Sequence, residues 1–340
     1  MNTIKIAIVG GSGYIGFALA RSLAEHYDVR IVDVQDPQER ELGNIEFVHC
    51  DIRDYDSVRH SLRGVDMVVH TAIIQIPRIN EAKELAYDVN YLGTHNVCKA
   101  VKEAPETKGL ILSGTWHTIG ETGLAGVIDE EFGYRPDKVE SRAMLYALSK
   151  VAQESIVRFY DEMSDKVFGV LRLGTVLGNE MPKGTAANIF IDKALRGESI
   201  TPFRQSAYRP MLYVDIRDVC SGFSRFIAGI SRGTIRKTGK SIDHIVNLYY
   251  PLPLTILELA EAVRDSVTRL TEGKVNPSVE VLDSGEPPKF SPEDKSRMVT
   301  NIGKVGKMLG IESLIDPRRS IDDIVRYRIK KETGRQFTLR

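Results

Sequence analysis

The chain opens on a repeating alternation of apolar runs and helical spacing. Ile4 to Val9 (IKIAIV) is short, apolar and β-branched, and it breaks at Gly10-Gly11. Tyr14 to His26 follows with apolar residues at helical intervals. Further apolar runs lie at Val29 to Val32, Ile45 to His49, Val65 to His70, Gly109 to Leu112 and Val167 to Leu173. Long helical patterns without internal proline cover Glu81 to Glu103 and Ser141 to Met163. Continuous apolar strands alternating with helices predict a parallel sheet covered on both faces. The second half is less regular. Thr185 to Arg196, Asp215 to Ile230, Thr255 to Leu270, Ile302 to Leu309 and Ser320 to Lys331 read as helices, and Ile245 to Leu248 and Ser278 to Leu282 as strands. The change of texture near Leu173 sets the predicted domain boundary.

Composition narrows the class. The chain has 340 residues, 42% hydrophobic and 27% charged, which excludes a disordered or collagen-like chain. Lys+Arg and Asp+Glu are both 46, and this balance argues against a nucleic-acid partner held through its phosphates. Cys50, Cys98 and Cys220 are far apart and suit neither a zinc ribbon nor a disulfide framework, so they read as small buried apolar groups. No apolar run approaches the ~18 residues of a membrane span, and the first residues do not resemble a signal peptide. The expectation is a cytoplasmic protein with no membrane partner.

The first chemistry-bearing segment is Gly10-Gly11-Ser12-Gly13-Tyr14-Ile15-Gly16, between a strand and a helix. Glycines there permit a tight turn and let backbone N–H groups approach a pyrophosphate, and the helix N-terminus adds a positive dipole end. Gly10, Gly13, Tyr14, Ile15 and Gly16 are the residues expected to face a dinucleotide. Asp33 ends the second strand, where a carboxylate accepts from the adenosine ribose hydroxyls and repels a 2′-phosphate. The pair predicts NAD rather than NADP. Asp51, with Ile52 after it, ends the third strand and is placed either to reach an adenine amino group or to cap the helix expected from Tyr55 to Leu62.

Tyr146 and Lys150 (YALSK) are four apart and share one helix face. A phenol titrates near pH 10, so it serves as an acid–base group at neutral pH only with help; a nearby ammonium favours the phenolate. The strand ending Leu112-Ser113-Gly114-Thr115 brings hydroxyls to the carboxyl edge of the sheet, where parallel sheets bind ligands. Ser113 and Thr115 are both candidates to orient a substrate oxygen.

Together these segments resemble the extended short-chain dehydrogenase/reductase superfamily, in its NAD-dependent epimerase/dehydratase branch, over nearly the whole chain. GGSGYIG resembles the glycine loop. HTAI at His70 to Ile73 resembles the end of strand four and implies that Thr71 and Ala72 line the cofactor. VNYLGTHNV resembles the helix carrying the structural asparagine, here Asn90. LSGTWHTIG, aligned from Gly120 backwards, puts Thr115 in the catalytic Ser/Thr place and leaves Ser113 beside the cofactor. YALSK matches Y-x-x-x-K, LRLGTVLG resembles L-R-x-x-N-V-Y-G, and RPMLYVDIRDV resembles R-D-F-I-H-V-D-D-V.

The resemblance implies a doubly wound, Rossmann-type α/β domain over residues 1–173, with segments near 211–250 returning to it, and a smaller C-terminal substrate-binding domain over residues 174–340. It implies NAD-dependent chemistry at a carbinol carbon of a sugar or nucleotide sugar, with Thr115, Tyr146 and Lys150 catalytic, Thr175 and Arg209 on the substrate, and no metal. It also implies a homodimer through the two long helices, burying residues such as Leu92 and Val157. Thr175 replaces the asparagine that often serves a nucleotide-sugar pyrophosphate, and Glu286 to Pro292 offers only Lys289 where an arginine is common. The alternatives are a hydroxysteroid-type or other alcohol dehydrogenase and, outside catalysis, an NAD-binding regulator. Trp116 and His117 stand where dehydratases often carry Asp-Glu, which disfavours dehydration. His70 reads as structural, Asp129-Glu130-Glu131 as a solvated loop, and the basic tail from Arg328 as a fraying or surface segment.

Overall fold

In the computed structural model, which describes residues 4–37 and 42–338 (side chains through 331), the apolar runs form seven strands of one sheet. They are β1 (Lys5–Val9), β2 (Asp28–Asp33), β3 (Glu46–His49), β4 (Met67–His70), β5 (Gly109–Thr115), β6 (Val167–Leu173) and β7 (Ile245–Leu248). All pair in parallel in the spatial order β3-β2-β1-β4-β5-β6-β7. The direction of winding reverses between β1 and β4, whose Val9 and His70 lie in register. A parallel sheet opens a crevice at the carboxyl ends of its strands at such a reversal. The fold is the doubly wound Rossmann type.

Helices cover both faces. On one, α1 (Tyr14–Leu23) and α2 (Ile216–Arg232) pack Phe17, Leu19, Val219 and Phe223 against Ile6, Ile8 and Leu171. On the other, α-helices Thr94–Glu103 and Met144–Glu162 pack Val97, Val101, Val157 and Tyr160 against Val9, Val68 and Phe168. A third apolar cluster joins Trp116 and Ile119 to the helices Ala186–Leu195, Ile256–Leu270 and Pro317–Thr338 of the second half. Chain from Ile216 to Leu248 thus rejoins the sheet after the excursion begun at Thr175.

Several expectations need correction. The pattern from Glu81 to Glu103 is not one helix. Short helices Arg78–Glu81 and Lys83–Tyr87 lead into a π-helical turn, Asp88–Gly93, before Thr94–Glu103. Gly93 lies so close to the Ile52 side chain that a Cβ would stand 2.6 Å from Ile52 Cδ1. Ser278–Leu282 forms no ladder, only isolated bridges from Val279 to Ile200 and from Leu282 to Phe203. Glu130 is not solvated: it is buried, and its Oε1 accepts from the Asn247 N–H of β7 at 2.8 Å. Arg328 neither frays nor floats, for it ion-pairs with Asp192 and donates to Asn188 at 2.6 Å. Val157 is wholly buried within the chain itself, so it is not available to a twofold interface.

His70 is buried with its Nε2 against Thr94 Oγ1 at 3.0 Å, and burial pulls its pKa down to about 3, so it is a neutral core residue. Cys50 and Cys98 are buried and unpaired. No helix among the described residues is long and apolar enough to cross a membrane.

One buried ion pair ties the long helix Met144–Glu162 to β6. Arg172 is the only charged residue of that strand, and its guanidinium grips Glu154 at 2.7 Å through Nη2 and 3.1 Å through Nε. Arg172 Nη1 also donates to the Glu130 carbonyl, and Tyr134 donates its hydroxyl to Glu154. Removing one member of such a pair leaves an uncompensated buried charge, at a cost of ~3–5 kcal/mol. Glu154→Leu should therefore lower unfolding stability in urea by about that amount, whereas Glu154→Leu with Arg172→Met should recover most of it. Equal stability of the single variant and wild type would show that the pair does not hold the helix.

Candidate active site

The glycine loop is shaped by contact with the end of β4. Gly10 has φ +81°, and a Cβ there would lie 2.4 Å from the Ala72 nitrogen. A Cβ on Gly16 would lie 2.3 Å from the Gly10 carbonyl oxygen. Thr71 closes the other side by donating its hydroxyl to the Val9 and Gly10 carbonyls at 2.9 and 3.0 Å. Gly13 caps α1 with no side chain to occupy the first-turn amides of Tyr14, Ile15 and Gly16. The Tyr14 ring turns inward against Gly178, so the backbone is what this residue offers a phosphate. Asp33 reaches across from β2, its Oδ2 accepting from Ser12 N–H at 3.0 Å and its Oδ1 from Gln35 N–H at 3.0 Å. A cradle that only glycine fits, open amides at a helix N-terminus and a carboxylate at the strand end together suit an adenine dinucleotide.

The adenine side differs in detail. Asp51 is gripped by Arg53, at 2.6 Å from Nη2 and 3.0 Å from Nε, which draws its carboxyl below the usual range. Asp51 is not the helix cap; Asp54 is, accepting from Asp56 N–H. Ile52 is buried against Gly93. Asn90 sits in the π-helical turn with its amide fully engaged: Oδ1 accepts from Ile74 N–H at 2.8 Å, and Nδ2 donates to the Ile74 carbonyl and Ser149 Oγ. It therefore clamps the segment after β4 to the helix Met144–Glu162, one residue from Lys150.

That helix, preceded by a 3-10 turn Ser141–Ala143, carries Tyr146 and Lys150 toward the carboxyl end of β5. Lys150 Nζ donates to the Ser113 carbonyl at 2.8 Å. Burial pulls its amine down to about 7, with the Glu154 carboxylate opposing. Burial pushes the Tyr146 phenol up, while a hydrogen bond with Thr115 draws it back. Ser113 and Thr115 are both buried, and the Thr115 hydroxyl lies 3.1 Å from Nδ1 of His117, whose ring meets Tyr146 edge-on. Thr115, Tyr146 and Lys150 therefore converge beside the sheet's winding reversal.

The two expected substrate residues are already partnered. Thr175 Oγ1 accepts from the buried Trp116 Nε1 at 3.5 Å. Arg209 is buried, with Nη1 2.8 Å from Glu140 Oε2 and 3.8 Å from Glu121 Oε1. Sequence reading passed over Glu121, Glu140 and Gln153, whose Nε2 bonds the Ala72 carbonyl and Thr94 Oγ1. The signals were thin: an acidic residue four beyond His117, and a polar one three beyond Lys150.

Comparison with known proteins places the fold in a family. Residues 6–238 match the model of the NAD dependent epimerase/dehydratase family. A Methanocaldococcus jannaschii protein provisionally named a UDP-glucose 4-epimerase is 32% identical over 203 residues, 57% of this chain and 64% of that one. A human sterol-4-alpha-carboxylate 3-dehydrogenase, decarboxylating, is 35% identical over 154 residues, 45% of this chain and 39% of that enzyme. The matches thus span less than two thirds of either relative's length. The structure of Thermus thermophilus UDP-glucose 4-epimerase in complex with NAD superposes with a TM-score of 0.74 at 22% identity, covering 95% of this chain and 99% of that one, a likeness of fold. With the family model matched over more than half its length, on a doubly wound sheet with a glycine cradle at its reversal, this chain belongs to the NAD-dependent epimerase/dehydratase family.

Proposed function

We propose that the protein is an NAD-dependent oxidoreductase or epimerase acting at a carbinol carbon of a sugar or nucleotide sugar through Thr115, Tyr146 and Lys150. The observation that carries this reading is the Lys150 ammonium on the Ser113 carbonyl at 2.8 Å, with Tyr146 one helical turn away and Thr115 at the carboxyl edge of β5. NAD, when bound, would supply the hydride acceptor for oxidation at the carbinol carbon, and in an epimerase the donor for its return. Gly10, Gly13, Gly16 and the first amides of α1 would hold the pyrophosphate, and Asp33 would meet the ribose. Thr115 orients the substrate hydroxyl, and Tyr146 accepts its proton. Lys150 holds the nicotinamide ribose and, when charged, favours the phenolate. Retention of both Tyr146 and Lys150 supports an enzyme over an NAD-binding regulator. The second half, with its own apolar cluster, is the substrate side.

A hydroxysteroid-type dehydrogenase is the second reading, and Arg209 favours it. A guanidinium already shared between two carboxylates is poorly free to clamp a diphosphate. The subunit also presents apolar side chains outward from its two long helical segments: Tyr87, Leu92, Leu148 and Phe159, the last 71% exposed. An exposed apolar stripe of this kind suits a twofold interface, and a homodimer through these helices belongs to the proposal.

Three measurements test these points. Tyr146→Phe should lower turnover by roughly 10²–10⁴-fold with NAD affinity nearly unchanged, in an assay of NADH formation and sugar inversion against UDP-sugars, free sugars and sterols; near-wild-type turnover would remove Tyr146 from proton transfer. Titration with both dinucleotides should give tighter binding of NAD, because Asp33 repels a 2′-phosphate; tighter NADP would overturn the assignment. Light scattering at micromolar concentration should give the dimer mass, and Phe159→Glu should shift the protein toward monomer. A monomeric wild type would defeat the interface.

A further inference from the structure

A closed set of charges lies beside Tyr146. The Tyr146 ring meets the His117 ring edge-on, with centroids 5.8 Å apart. His117 lies on the 3-10 turn Trp116–Ile119, directly after Thr115, and its Nε2 stands 3.2 Å from Glu121 Oε1. Arg209 follows, with Nη1 3.8 Å from the same Glu121 oxygen and 2.8 Å from Glu140 Oε2. Arg142 meets that Glu140 oxygen from the solvent side, its Nε at 2.9 Å. Glu121 Oε2 accepts from the Glu140 N–H at 3.0 Å, which ties the two acidic residues together. Arg209 is thus separated from the Tyr146 ring by two side chains, His117 and Glu121.

Burial makes this arrangement hard to reopen. The Glu121 side chain is 2% exposed, that of Arg209 8% and that of Glu140 16%. Burial alone would raise the Glu121 carboxyl, yet His117, then Arg209 and the Glu140 amide, hold it down to about 2, so it is ionised at any ordinary pH. The two carboxylates are matched by two guanidinium groups, and no positive charge in the cluster is left over. A diphosphate needs a cation free to meet it, best a guanidinium fork with two open donors. To supply one, Arg209 would have to leave Glu140 and Glu121. Both carboxylates would then face the incoming anion, with only the exposed Arg142 to compensate. Lys289, the cation of the Glu286–Pro292 segment, is itself exposed and pairs with Glu286 at 3.1 Å, and a surface amine of this kind adds little. An uncharged substrate requires none of these exchanges.

We propose that Glu140 and Glu121 are specificity-determining residues: by holding Arg209 they confine the site to carbinols whose non-reacting part carries no charge, and they exclude nucleoside diphosphates. Glu140, the closer of the two to Arg209, carries more of the hold. The exclusion is electrostatic and acts through Arg209 on binding, so it appears in KM rather than kcat. The proposal rests on the carbinol reading above and narrows it to sugars or sterols without phosphate.

The probe is UDP, titrated calorimetrically into protein saturated with NAD so that the dinucleotide groove is filled. Wild type should show no binding at millimolar UDP. Glu140→Gln keeps the shape of the side chain and removes its charge. It should raise UDP affinity by about 10-fold over the wild-type limit, and Glu121→Gln with Glu140→Gln by about 100-fold. Adding Arg209→Met should abolish the gain, a reversal that mere loosening of the structure would not produce. Near-ultraviolet circular dichroism reports whether each variant keeps its packing, and should the double variant not fold, the wild type and the single variant decide. Micromolar UDP binding by the wild type, folded glutamine variants with no gain, or a gain that survives Arg209→Met would overturn the proposal. In turnover, wild type should oxidise an uncharged carbinol and reject UDP-glucose, with a free aldose and a hydroxysterol as separate arms that tell the two sources apart. A lower KM for UDP-glucose than for either would also overturn it. Should nothing turn over, the proposed function fails, while the UDP titrations still decide whether Arg209 is held.

Discussion

The buried Arg172–Glu154 pair is the constraint on which the site's geometry depends. Glu154 lies one turn beyond Lys150 on the same helix, and Arg172 stands on the penultimate strand of the sheet, between β5 and β7. Any slide or rotation of the helix against β6 would separate opposite charges that have no water to turn to. The pair thereby fixes where Lys150 meets the Ser113 carbonyl and where Tyr146 meets the His117 ring. Asn90 performs the same service from the opposite side, through Ser149. The helix is held at neighbouring residues by a neutral amide and, one turn on, by an ion pair, while apolar packing through Val157 and Tyr160 supplies the non-directional remainder.

The electrostatics of the site follow from this burial. Lys150 is pulled down, Tyr146 pushed up, and Glu121 held down against its own desolvation. Each shift has a distinct source: loss of water for the first two, close donors for the third. Perturbed groups of opposite tendency gathered at one strand end are what proton-transfer chemistry requires. The cluster of Glu121, Glu140 and Arg209 is a buried salt-bridge network beside that strand end.

Much of the sheet was legible because a strand buried on both faces leaves an uninterrupted apolar signature. Val167 to Leu173 and Ile245 to Leu248 come out with the ends expected of them. The glycine loop was legible because its steric demand is local. What sequence could not reveal was long-range. The π-turn at Asp88–Gly93 depends on Asn90 finding Ile74 and on Gly93 meeting Ile52, so the segment reads as ordinary helix. Glu130 reads as a surface acid until Asn247, far along the chain, supplies a donor. Arg209 reads as a free cation until Glu121 and Glu140 close on it. Charged residues carry no periodic signal, and their partners are set by topology.

The Asp33–Ser12 contact has a consequence for how a ligand is met. Glycine-rich loops lose more backbone freedom on ordering than any other sequence, a cost of about 1–2 kcal/mol per residue. Here the carboxylate at the end of β2 and the Thr71 hydroxyl after β4 already hold the loop in its turn. The ordering is thus completed during folding, and association need not supply it. On the proposed reading, a ribose reaching Asp33 would exchange one hydrogen-bond partner for another within a preformed cradle, and loop closure would set no entropic barrier to entry or departure. Residence time at this end of the groove would then follow the strength of that exchange, so that a residue more than a dozen positions beyond the loop would act on kinetics as well as on the selectivity proposed for it.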